Sequence, residues 1–344
     1  MRYRLLGRSG LRVSEMCLGT MGFGTEWGFG AERGEVVKIW DTFATAGGNF
    51  VDTANKYTNG TSEKMVGELI AGDRDYWVVA TKYSLSMRDG DPNGWGNSRK
   101  NLVHSVEASL KRMNTDVIDL LWLHAWGWGT PIEEVMRSLD DLVRSGKVLY
   151  VGVSDTPAWV IARANTLAEL RGWTPFTALQ VEWSLLERTV ERELVPMAKQ
   201  LGLGVTPWGP LAGGVLTGKY TKGDGSDTKR AAGNEARGRL SERSLAIARV
   251  VDSVADEVGR SPAQVALAWV RSKGAIPIVG SRRAGQVVDT LKCVDLELQP
   301  EQLERLELAS AIDHGFPTDF MRLAKTWGAF GDTVPAVDRG EHPW

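Results

Sequence analysis

Positions 47–57 read Gly47-Gly48-Asn49-Phe50-Val51-Asp52-Thr53-Ala54-Asn55-Lys56-Tyr57 and combine a helix stop, a short strand and two reactive side chains. The two glycines are a typical signal for the end of a helix, and the apolar pair Phe50-Val51 predicts a buried strand. This strand ends on the carboxylate of Asp52, and the phenol of Tyr57 follows in the next loop. A buried strand that ends in reactive side chains indicates a site at the carboxyl-terminal edge of a sheet.

Two further apolar runs end in the same way. The run Val78-Val79-Ala80-Thr81-Lys82 ends on an amine, and the run Leu120-Leu121-Trp122-Leu123-His124 ends on an imidazole. Adjacent strands lie about 4.7–4.9 Å apart, so Asp52, Lys82 and His124 converge if their strands are neighbours. Tyr57, in the loop after the strand that carries Asp52, is expected to lie over them.

The whole chain alternates between strand-like and helix-like patterns. Buried strands are predicted at 16–18, 49–52, 77–82, 117–123, 148–153, 177–181, 203–208 and 275–279. Amphipathic helices are predicted at 35–46, 62–70, 98–112, 131–145, 157–169, 190–201, 261–272 and 284–292. Eight strands, each followed by a helix, favour an α/β fold of the (β/α)8 TIM-barrel type over an open doubly wound sheet, which needs no eighth strand.

Three segments are additional to the eight units of what we predict to be one barrel domain, residues 1–344. Residues 1–15 predict an N-terminal β-hairpin. Residues 209–240 are rich in glycine and charge without a clear period, and residues 311–344 form a C-terminal tail. Long loops in compact domains commonly carry function, so we expect both segments to reach the C-terminal face of the barrel.

The composition and net charge of the chain argue against some kinds of binding partner. The formal net charge of −2 gives no reason to expect nucleic acid or an anionic membrane as a partner. No apolar segment approaches the length of a membrane span and the N-terminus lacks a secretory pattern, so a cytoplasmic protein is expected. Cys17 and Cys293 are expected to be reduced core residues, with a disulfide as the alternative. No cluster of ligand-type residues at metal spacing is present, so no metal is expected.

The four reactive residues form a candidate proton-transfer site. A tyrosine with an ordinary pKa of about 10 is a weak acid near neutral pH, and a neighbouring ammonium lowers that pKa. We therefore expect Lys82 to tune Tyr57, with Asp52 as the anchor of Lys82 and His124 as an orienting donor. Each residue also has an ordinary structural alternative: Asp52 as a turn cap, Tyr57 as a surface ring, Lys82 as a solvated amine and His124 as a core residue.

A series of short motifs also runs along the chain in a fixed order. They are Leu18–Gly22, Val51–Ala54 with Tyr57, Ala80–Lys82, Leu121–His124, Gly152–Ser154, Gln180, Pro210–Tyr220 and Pro277–Arg282. In this order the chain resembles the aldo-keto reductases, NADP(H)-dependent carbonyl reductases built on a (β/α)8 barrel. The run from Leu211 to Tyr220 is most similar to the bacterial and potassium-channel β-subunit-like branch of that family.

The resemblance implies roles for the matched residues. Tyr57 is the implied general acid of carbonyl reduction, Asp52 and Lys82 tune it, and His124 orients the carbonyl. NADPH is the implied hydride donor, favoured over NADH because a guanidinium at Arg282 suits a 2′-phosphate. The implied cofactor contacts are Gly19, Thr20, Met21, Asp52, Ser154, Asp155, Gln180, Trp208, Gly209, Pro210, Leu211, Ala212, Gly213, Gly214, Lys219, Gly280, Ser281, Arg282 and Gln286.

Within that set, different groups serve different parts of the cofactor. Ser154, Asp155 and Gln180 match the positions that hold the nicotinamide carboxamide, and Trp208 matches the ring that stacks on the nicotinamide. The 210–219 loop is expected to wrap the pyrophosphate through backbone N–H groups, which its glycines allow to approach closely. The residues from Gly280 to Gln286 are expected to hold the adenosine end.

Two positions depart from the family pattern. Asp155 stands where Asn is common, and an ionised carboxylate can only accept hydrogen bonds. Thr290 stands near a position where Asn often binds the adenine, so this contact is expected to shift to Gln286.

The sequence therefore predicts NADPH-dependent reduction of an aldehyde or ketone, with a small-molecule carbonyl substrate. Four tryptophans in loops predict an aromatic pocket for a bulky or sugar-like substrate, with packing between loops as the alternative: Trp27, Trp95, Trp126 and Trp128. Two other functions stay open, a cofactor-binding regulatory subunit with little turnover and a lyase that forms a Schiff base on Lys82. The oligomeric state is also open.

Overall fold

A computed structural model describes residues 1–223 and 228–327. The chain begins with the antiparallel pair β1 (Tyr3–Leu5) and β2 (Arg12–Ser14), which is the predicted hairpin. Leu6 and Val13 are fully buried and pack against side chains from inside the barrel. The Arg8 N–H donates to the Gly202 carbonyl at 2.9 Å, just before the seventh barrel strand. The hairpin therefore closes the amino-terminal end of the barrel.

Eight parallel strands form the barrel within the described residues. They are β3 (Cys17–Gly19), β4 (Phe50–Asp52), β5 (Val78–Tyr83), β6 (Ile118–Leu123), β7 (Val148–Ser154), β8 (Ala178–Glu182), β9 (Gly204–Trp208) and β10 (Ile278–Gly280). Their order is β10-β3-β4-β5-β6-β7-β8-β9. The two edges meet where the Ile276 N–H donates to the Val205 carbonyl of β9 at 2.9 Å. The predicted (β/α)8 barrel is confirmed, and the carboxyl ends of its strands share one face.

Helices surround the barrel. Their bounds are α1 (Arg33–Thr45), α2 (Thr61–Ile70), α3 (Arg99–Met113), α4 (Ile132–Arg144), α5 (Ala158–Arg171), α6 (Leu194–Leu201), α7 (Thr228–Ala236), α8 (Glu242–Val258), α9 (Pro262–Ser272), α10 (Ala284–Leu291), α11 (Pro300–Ser310) and α12 (Thr318–Thr326). Helices α1–α6, α9 and α10 correspond to the eight predicted ones. Local signals explain such boundaries: α9, for example, begins with Ser261 as its N-cap and Pro262 in its first turn.

Helices α7, α8, α11 and α12 are additional to the predicted ones. The signals for α8 are present in the sequence, because the Ser241 side chain accepts from the Ser244 N–H and Gly259 ends the helix with φ +64°. The prediction assigned one helix to each of the eight strands, so it had no place for α8. In the structure, α8 packs against α9 and α11 and does not follow a strand of its own. The last strand is also shorter than predicted, because Pro277 has no N–H for the strand ladder.

The buried core has two parts. Inside the barrel, Phe50 and Trp122 are fully buried, and a larger cluster that includes Phe43 fills the space between strands and helices. Trp122 lies over Gly152 of β7, where a Cβ atom would come within 2.4 Å of the indole ring. A larger residue at position 152 would therefore displace the central ring of the barrel.

Several expectations concern the chain as a whole. Cys17 and Cys293 are buried with free thiols, as predicted. In residues 1–223 and 228–327, no helix has the length and apolar character needed to cross a bilayer, and no group of three metal-binding side chains is found. Positions 224–227 of the predicted 209–240 segment and 328–344 of the predicted tail lie outside the described residues.

Candidate active site

Three of the four predicted catalytic residues stand at neighbouring strand ends. Asp52 is the last residue of β4, Lys82 lies near the end of β5, and His124 directly follows β6. The three strands are adjacent and parallel, with Asp52 beside Ala80 and Lys82 beside Trp122. Parallel pairing therefore brings the three side chains to the C-terminal face of the barrel.

The Lys82 ammonium is the centre of this cluster. It donates to Oδ2 of Asp52 at 2.5 Å, to the carbonyl oxygen of Thr53 at 2.9 Å and to the hydroxyl of Tyr57 at 3.0 Å. The side chains of Lys82 and Asp52 are 0% and 3% exposed. An ammonium has three hydrogens, and each of them has an acceptor here. These contacts compensate for the removal of the charge from water.

The second oxygen of the Asp52 carboxylate also has a partner. Oδ1 accepts a hydrogen bond from Nε2 of Gln180, in β8, at 2.8 Å. Bonds to both oxygens fix the orientation of a buried carboxylate and stabilise its ionised form. Gln180, which the family resemblance assigns to the cofactor, thus uses one amide hydrogen to position Asp52.

Burial and charge act in opposite directions on the Lys82–Tyr57 pair. Burial alone lowers the pKa of Lys82, but the neighbouring Asp52 and Tyr57 outweigh burial and raise it. For Tyr57, burial raises the pKa and outweighs the charge of Lys82, which lowers it. Lys82 thus lowers the Tyr57 pKa as expected, but burial of the phenol has the larger effect, so the net pKa lies above its ordinary value rather than below it. The phenol keeps its proton at neutral pH, and the ammonium stabilises the phenolate once the proton has left.

A tight turn holds Tyr57 over the cluster. Tyr57 opens the 3₁₀ segment Tyr57–Gly60, in which Thr58 has a left-handed φ of +45°. The Thr58 hydroxyl donates to the Phe23 carbonyl at 2.6 Å and accepts from the Ser62 N–H at 3.0 Å. A left-handed backbone costs a non-glycine residue about 1–2 kcal/mol, and the two hydrogen bonds of the Thr58 hydroxyl offset that cost.

Two aromatic side chains meet the Tyr57 ring edge to face. The His124 imidazole lies 6.0 Å from it between ring centres, and the Trp27 indole lies 6.4 Å from it. Edge-to-face contacts at such distances are favourable. The structure therefore brings Asp52, Tyr57, Lys82 and His124 together and adds Trp27 from the loop after β3.

His124 is neutral over the physiological pH range. Burial, and secondly the charge of Lys82, lower its pKa to about 3. Its Nδ1 atom is buried and has no hydrogen-bond partner among the described residues. A neutral imidazole keeps one N–H donor and one acceptor. His124 is thus suited to orient a carbonyl oxygen by a hydrogen bond rather than to protonate it.

We expect the imidazole signal of His124 to show no titration in NMR spectra between about pH 5 and 9. The charged form becomes populated only as the pH falls towards about 3, because burial and Lys82 both disfavour it. The variant His124→Gln identifies the signal by removing it. A midpoint for this signal near the ordinary histidine value of 6.5 would contradict a buried, neutral imidazole.

The ends of β7 and β9 lie on the same face of the barrel. Ser154 is the last residue of β7 and is buried, and Asp155 follows it with a left-handed φ of +39°. The indole Nε1–H of Trp208, the last residue of β9, donates to Oδ1 of Asp155 at 3.2 Å. These three predicted cofactor contacts therefore stand together, with Asp155 held by Trp208.

The loop after β9 forms a compact turn. It contains the 3₁₀ segment Ala212–Thr217, in which Gly213 and Gly214 have φ of +66° and +90°. Asn234 of α7 donates to the Gly213 carbonyl at 3.2 Å, which ties the turn to the helix. The remaining predicted contacts of this region lie in or beside the turn: Gly209, Pro210, Leu211, Ala212 and Lys219.

Gln286 shapes the loop after β10. Its Oε1 accepts from the Arg282 N–H at 3.0 Å and from the Ser281 hydroxyl at 3.1 Å, so it stabilises the segment that starts at Gly280. The Thr290 hydroxyl donates to the carbonyl of Gln286 at 2.9 Å, within α10. Thr290 thus uses its hydroxyl inside its own helix, and the adenine contact of Gln286 stays a prediction.

The loop that follows β3 is hydrogen-bonded to the end of β4, where Asp52 stands. The buried hydroxyl of Thr20 donates to the carbonyl of Asp52 at 3.0 Å. Met21, the next residue, is 46% exposed. Of the predicted contacts Gly19, Thr20 and Met21, only Met21 therefore has a side chain that is exposed to solvent.

The four predicted tryptophans have different environments. Trp27 contacts the ring of Tyr57, whereas Trp126 is partly buried against the core. Trp95 is 58% exposed. Trp128 is 70% exposed and lies 6.2 Å from the ring of Trp159 in α5. Among the four, Trp27 is the one in ring contact with the cluster of Asp52, Tyr57, Lys82 and His124.

Three residues of the site were not singled out from the sequence. Thr53 contributes its backbone carbonyl oxygen, which every residue type has, so its identity gives no signal in the sequence. Thr58 contributes through its place in a turn that only the structure defines. Asn55 is fully buried, and its side-chain nitrogen and oxygen have no partner among the described residues. Its position between Asp52 and Tyr57 was the signal available for it.

Comparison with known proteins decides the family. A model of the aldo/keto reductase family matches residues 15–311, which include all the strand ends described above. The chain belongs to this family. The family match and the names of the relatives indicate that this aldo/keto reductase is an oxidoreductase that acts on carbonyl compounds.

Curated relatives match this aldo/keto reductase over nearly its whole length. Norsolorinic acid reductase from Aspergillus flavus is 39% identical over 334 residues, which cover 93% of this chain and 84% of the relative. Aryl-alcohol dehydrogenase (NADP+) from Phanerodontia chrysosporium is 38% identical over 333 residues, 90% of this chain and 85% of the relative. Norsolorinic acid reductase B from Dothistroma septosporum is 38% identical over 338 residues, with coverages of 93% and 84%. The similarity to the channel β-subunit-like branch stays a prediction.

Proposed function

We propose that this aldo/keto reductase transfers a hydride between NADP(H) and an aldehyde or ketone, with Tyr57 as the proton donor for reduction. The observation that supports this most is the buried chain of contacts from Asp52 through Lys82 to Tyr57. It ends on a phenol that keeps its proton because it is buried, next to an ammonium that stabilises the anion left behind. A group of this kind is suited to give a proton to a developing alkoxide.

The chemistry needs a hydride and a proton. A bound nicotinamide cofactor supplies the hydride to the carbonyl carbon. Tyr57 gives its hydroxyl proton to the carbonyl oxygen, and Lys82 stabilises the phenolate that results. His124 holds the same oxygen by a hydrogen bond, so that charge develops next to fixed donors. For alcohol oxidation the phenolate takes the proton back.

Polar atoms at the C-terminal face of the barrel, here called the barrel mouth, are suited to form hydrogen bonds with such a cofactor. Ser154 Oγ and His124 Nδ1 are buried and have no hydrogen-bond partner among the described residues, so they are available to an amide and a carbonyl. We assign Ser154 and Asp155 to the nicotinamide end and Trp208 to the face of its ring. The 3₁₀ turn Ala212–Thr217 is assigned to the pyrophosphate, and the loop after β10 to the adenosine phosphate.

An aryl aldehyde or aryl ketone is the substrate class we propose. Of the three relatives described above, one is named an aryl-alcohol dehydrogenase and two are named norsolorinic acid reductases. In this chain, Trp27 offers a flat apolar surface next to the ring of the proton donor. Stacking and edge contacts on such a surface favour a planar aromatic substrate. The sugar-like substrate expected from the sequence is the alternative.

The test is an assay of NADPH oxidation with purified protein and a panel of aryl aldehydes, aryl ketones, aliphatic aldehydes and keto-sugars. Loss of NADPH absorbance together with formation of the alcohol supports the proposal. Binding of NADPH without turnover on the whole panel, in both directions, favours the regulatory subunit. A chain that binds neither NADPH nor NADH contradicts the proposal.

The Schiff-base alternative conflicts with the environment of Lys82. Its three hydrogens are donated to Asp52, Thr53 and Tyr57, and its pKa is raised, so it stays protonated. A protonated amine is not a nucleophile. Borohydride treatment in the presence of carbonyl substrate should therefore leave Lys82 unmodified by mass spectrometry.

Arg282→Leu is expected to weaken NADPH binding by about tenfold or more and to leave NADH binding nearly unchanged. The physical reason is the loss of a charged contact to the 2′-phosphate, which NADH lacks. Titration calorimetry with both cofactors measures the change. The matched control is Arg283→Leu, which removes the same charge from the adjacent position. An equal effect of the two variants on NADPH would contradict the assignment to Arg282.

A further inference from the structure

Asp155 is a carboxylate at the barrel mouth with a neutral partner. Its Oδ1 accepts the indole N–H of Trp208 at 3.2 Å. None of the ion pairs in residues 1–223 and 228–327 includes Asp155. Burial raises the pKa of the Asp155 carboxyl, whereas the Trp208 N–H and the charge of Lys82 lower it, and the exposed part of the residue lets water solvate the ionised form. The charge is therefore held in place but not neutralised.

The charge of Asp155 reaches the catalytic cluster. Burial of the phenol is the main cause of the raised pKa of Tyr57, and the charge of Asp155 raises that pKa further. The charge of Lys82 in turn lowers the pKa of Asp155. Lys82 is already matched by Asp52 at 2.5 Å, and His124 is neutral. Among Asp52, Lys82, His124 and Asp155, two carboxylates therefore stand against one ammonium, which leaves one negative charge in excess within this group.

Hydride transfer fixes where this charge acts. The donor carbon and the carbonyl carbon must approach to about 3–3.5 Å, and the carbonyl oxygen must reach the Tyr57 hydroxyl. A bound nicotinamide ring would therefore have to lie near Tyr57, within the field of Asp155. The oxidised ring carries a positive charge and the reduced ring is neutral. A carboxylate at this position stabilises the oxidised ring and has little effect on the reduced one.

We propose that Asp155 is a specificity-determining residue that favours oxidised over reduced cofactor and thereby shifts the bound equilibrium towards alcohol oxidation. This inference rests on the proposed function, because it requires a nicotinamide cofactor at this mouth. Allowing for partial exposure and screening by salt, the preference is about three- to tenfold.

Asparagine at the same position separates charge from structure. Asn has nearly the shape of Asp, still accepts the Trp208 N–H through its carbonyl oxygen and tolerates a left-handed backbone such as φ +39°. Asp155→Asn therefore removes the charge and keeps the fold. Asp155→Ser is a second neutral variant, which carries the test if the first does not fold.

The experiment measures dissociation constants of NADP+ and NADPH by titration calorimetry at low and high salt. For Asp155→Asn and Asp155→Ser we expect the preference for NADP+ to fall about three- to tenfold relative to the wild type. High salt should reduce the preference in the wild type and have less effect on it in the variants. The control is Asp116→Asn, which removes the same charge from an exposed position just before β6, at the opposite end of the barrel.

The outcomes separate this inference from the proposed function. Binding of both cofactors with an unchanged ratio in the two Asp155 variants overturns the role of Asp155 and leaves the proposed function intact. An equal change of the ratio in Asp116→Asn shows a general charge effect and also overturns the role. A wild-type chain that binds neither cofactor overturns the proposed function and this inference with it.

Discussion

Tyr57→Phe is expected to lower kcat for carbonyl reduction by about 10²- to 10⁴-fold and to leave NADPH binding largely unchanged. The substitution removes one hydroxyl, which Lys82 contacts at 3.0 Å, and keeps the ring that meets His124 and Trp27 edge to face. The loss is therefore confined to proton donation. Initial rates with an aryl aldehyde and calorimetry with NADPH measure the two quantities separately.

A matched control for Tyr57→Phe is Tyr76→Phe. The Tyr76 hydroxyl contacts the Tyr3 hydroxyl at 3.2 Å near the hairpin, at the amino-terminal end of the barrel, and is exposed. The control should keep the wild-type rate. If Tyr57→Phe also keeps the wild-type rate, the proton comes from another group and the assignment fails. If it loses the rate together with cofactor binding, its effect is structural.

Lys82→Met is expected to abolish measurable turnover and to lower the free energy of unfolding by about 3–5 kcal/mol. Methionine fills a similar volume but leaves the Asp52 carboxylate buried at 3% side-chain exposure without its cation. It also removes the charge that stabilises the Tyr57 phenolate. Urea unfolding, followed by tryptophan fluorescence, measures the stability change, and the NADPH assay measures the turnover.

A double variant distinguishes the charge effect from a loss of packing. Asp52→Asn with Lys82→Met removes both charges, so the unpaired carboxylate is gone and part of the stability should return. The exposed pair of Lys147 with Glu107 provides the surface control, since Lys147→Met should cost less than about 1 kcal/mol. If the double variant is no more stable than Lys82→Met alone, the cost is not electrostatic.

Local sequence signals were enough for most of the barrel. Short apolar runs bounded by helix stops located its strands, because a strand buried on both faces must be apolar throughout. The same signals placed Asp52, Lys82 and His124 at strand ends, and parallel topology then requires them to share a face. The additional helices α8 and α11 were missed although Ser241 and Gly259 mark the limits of α8, because their place depends on packing between helices.

The spacing of the short apolar runs was sufficient to predict the barrel, and with it the meeting of the reactive side chains at the strand ends. How these groups act on one another depends on their arrangement in space. The contact of Gln180 with Asp52 joins residues 128 positions apart. The pKa of Tyr57 is raised rather than lowered because burial outweighs the charge of Lys82. Desolvation depends on everything that surrounds a group in space, and no stretch of sequence records that sum.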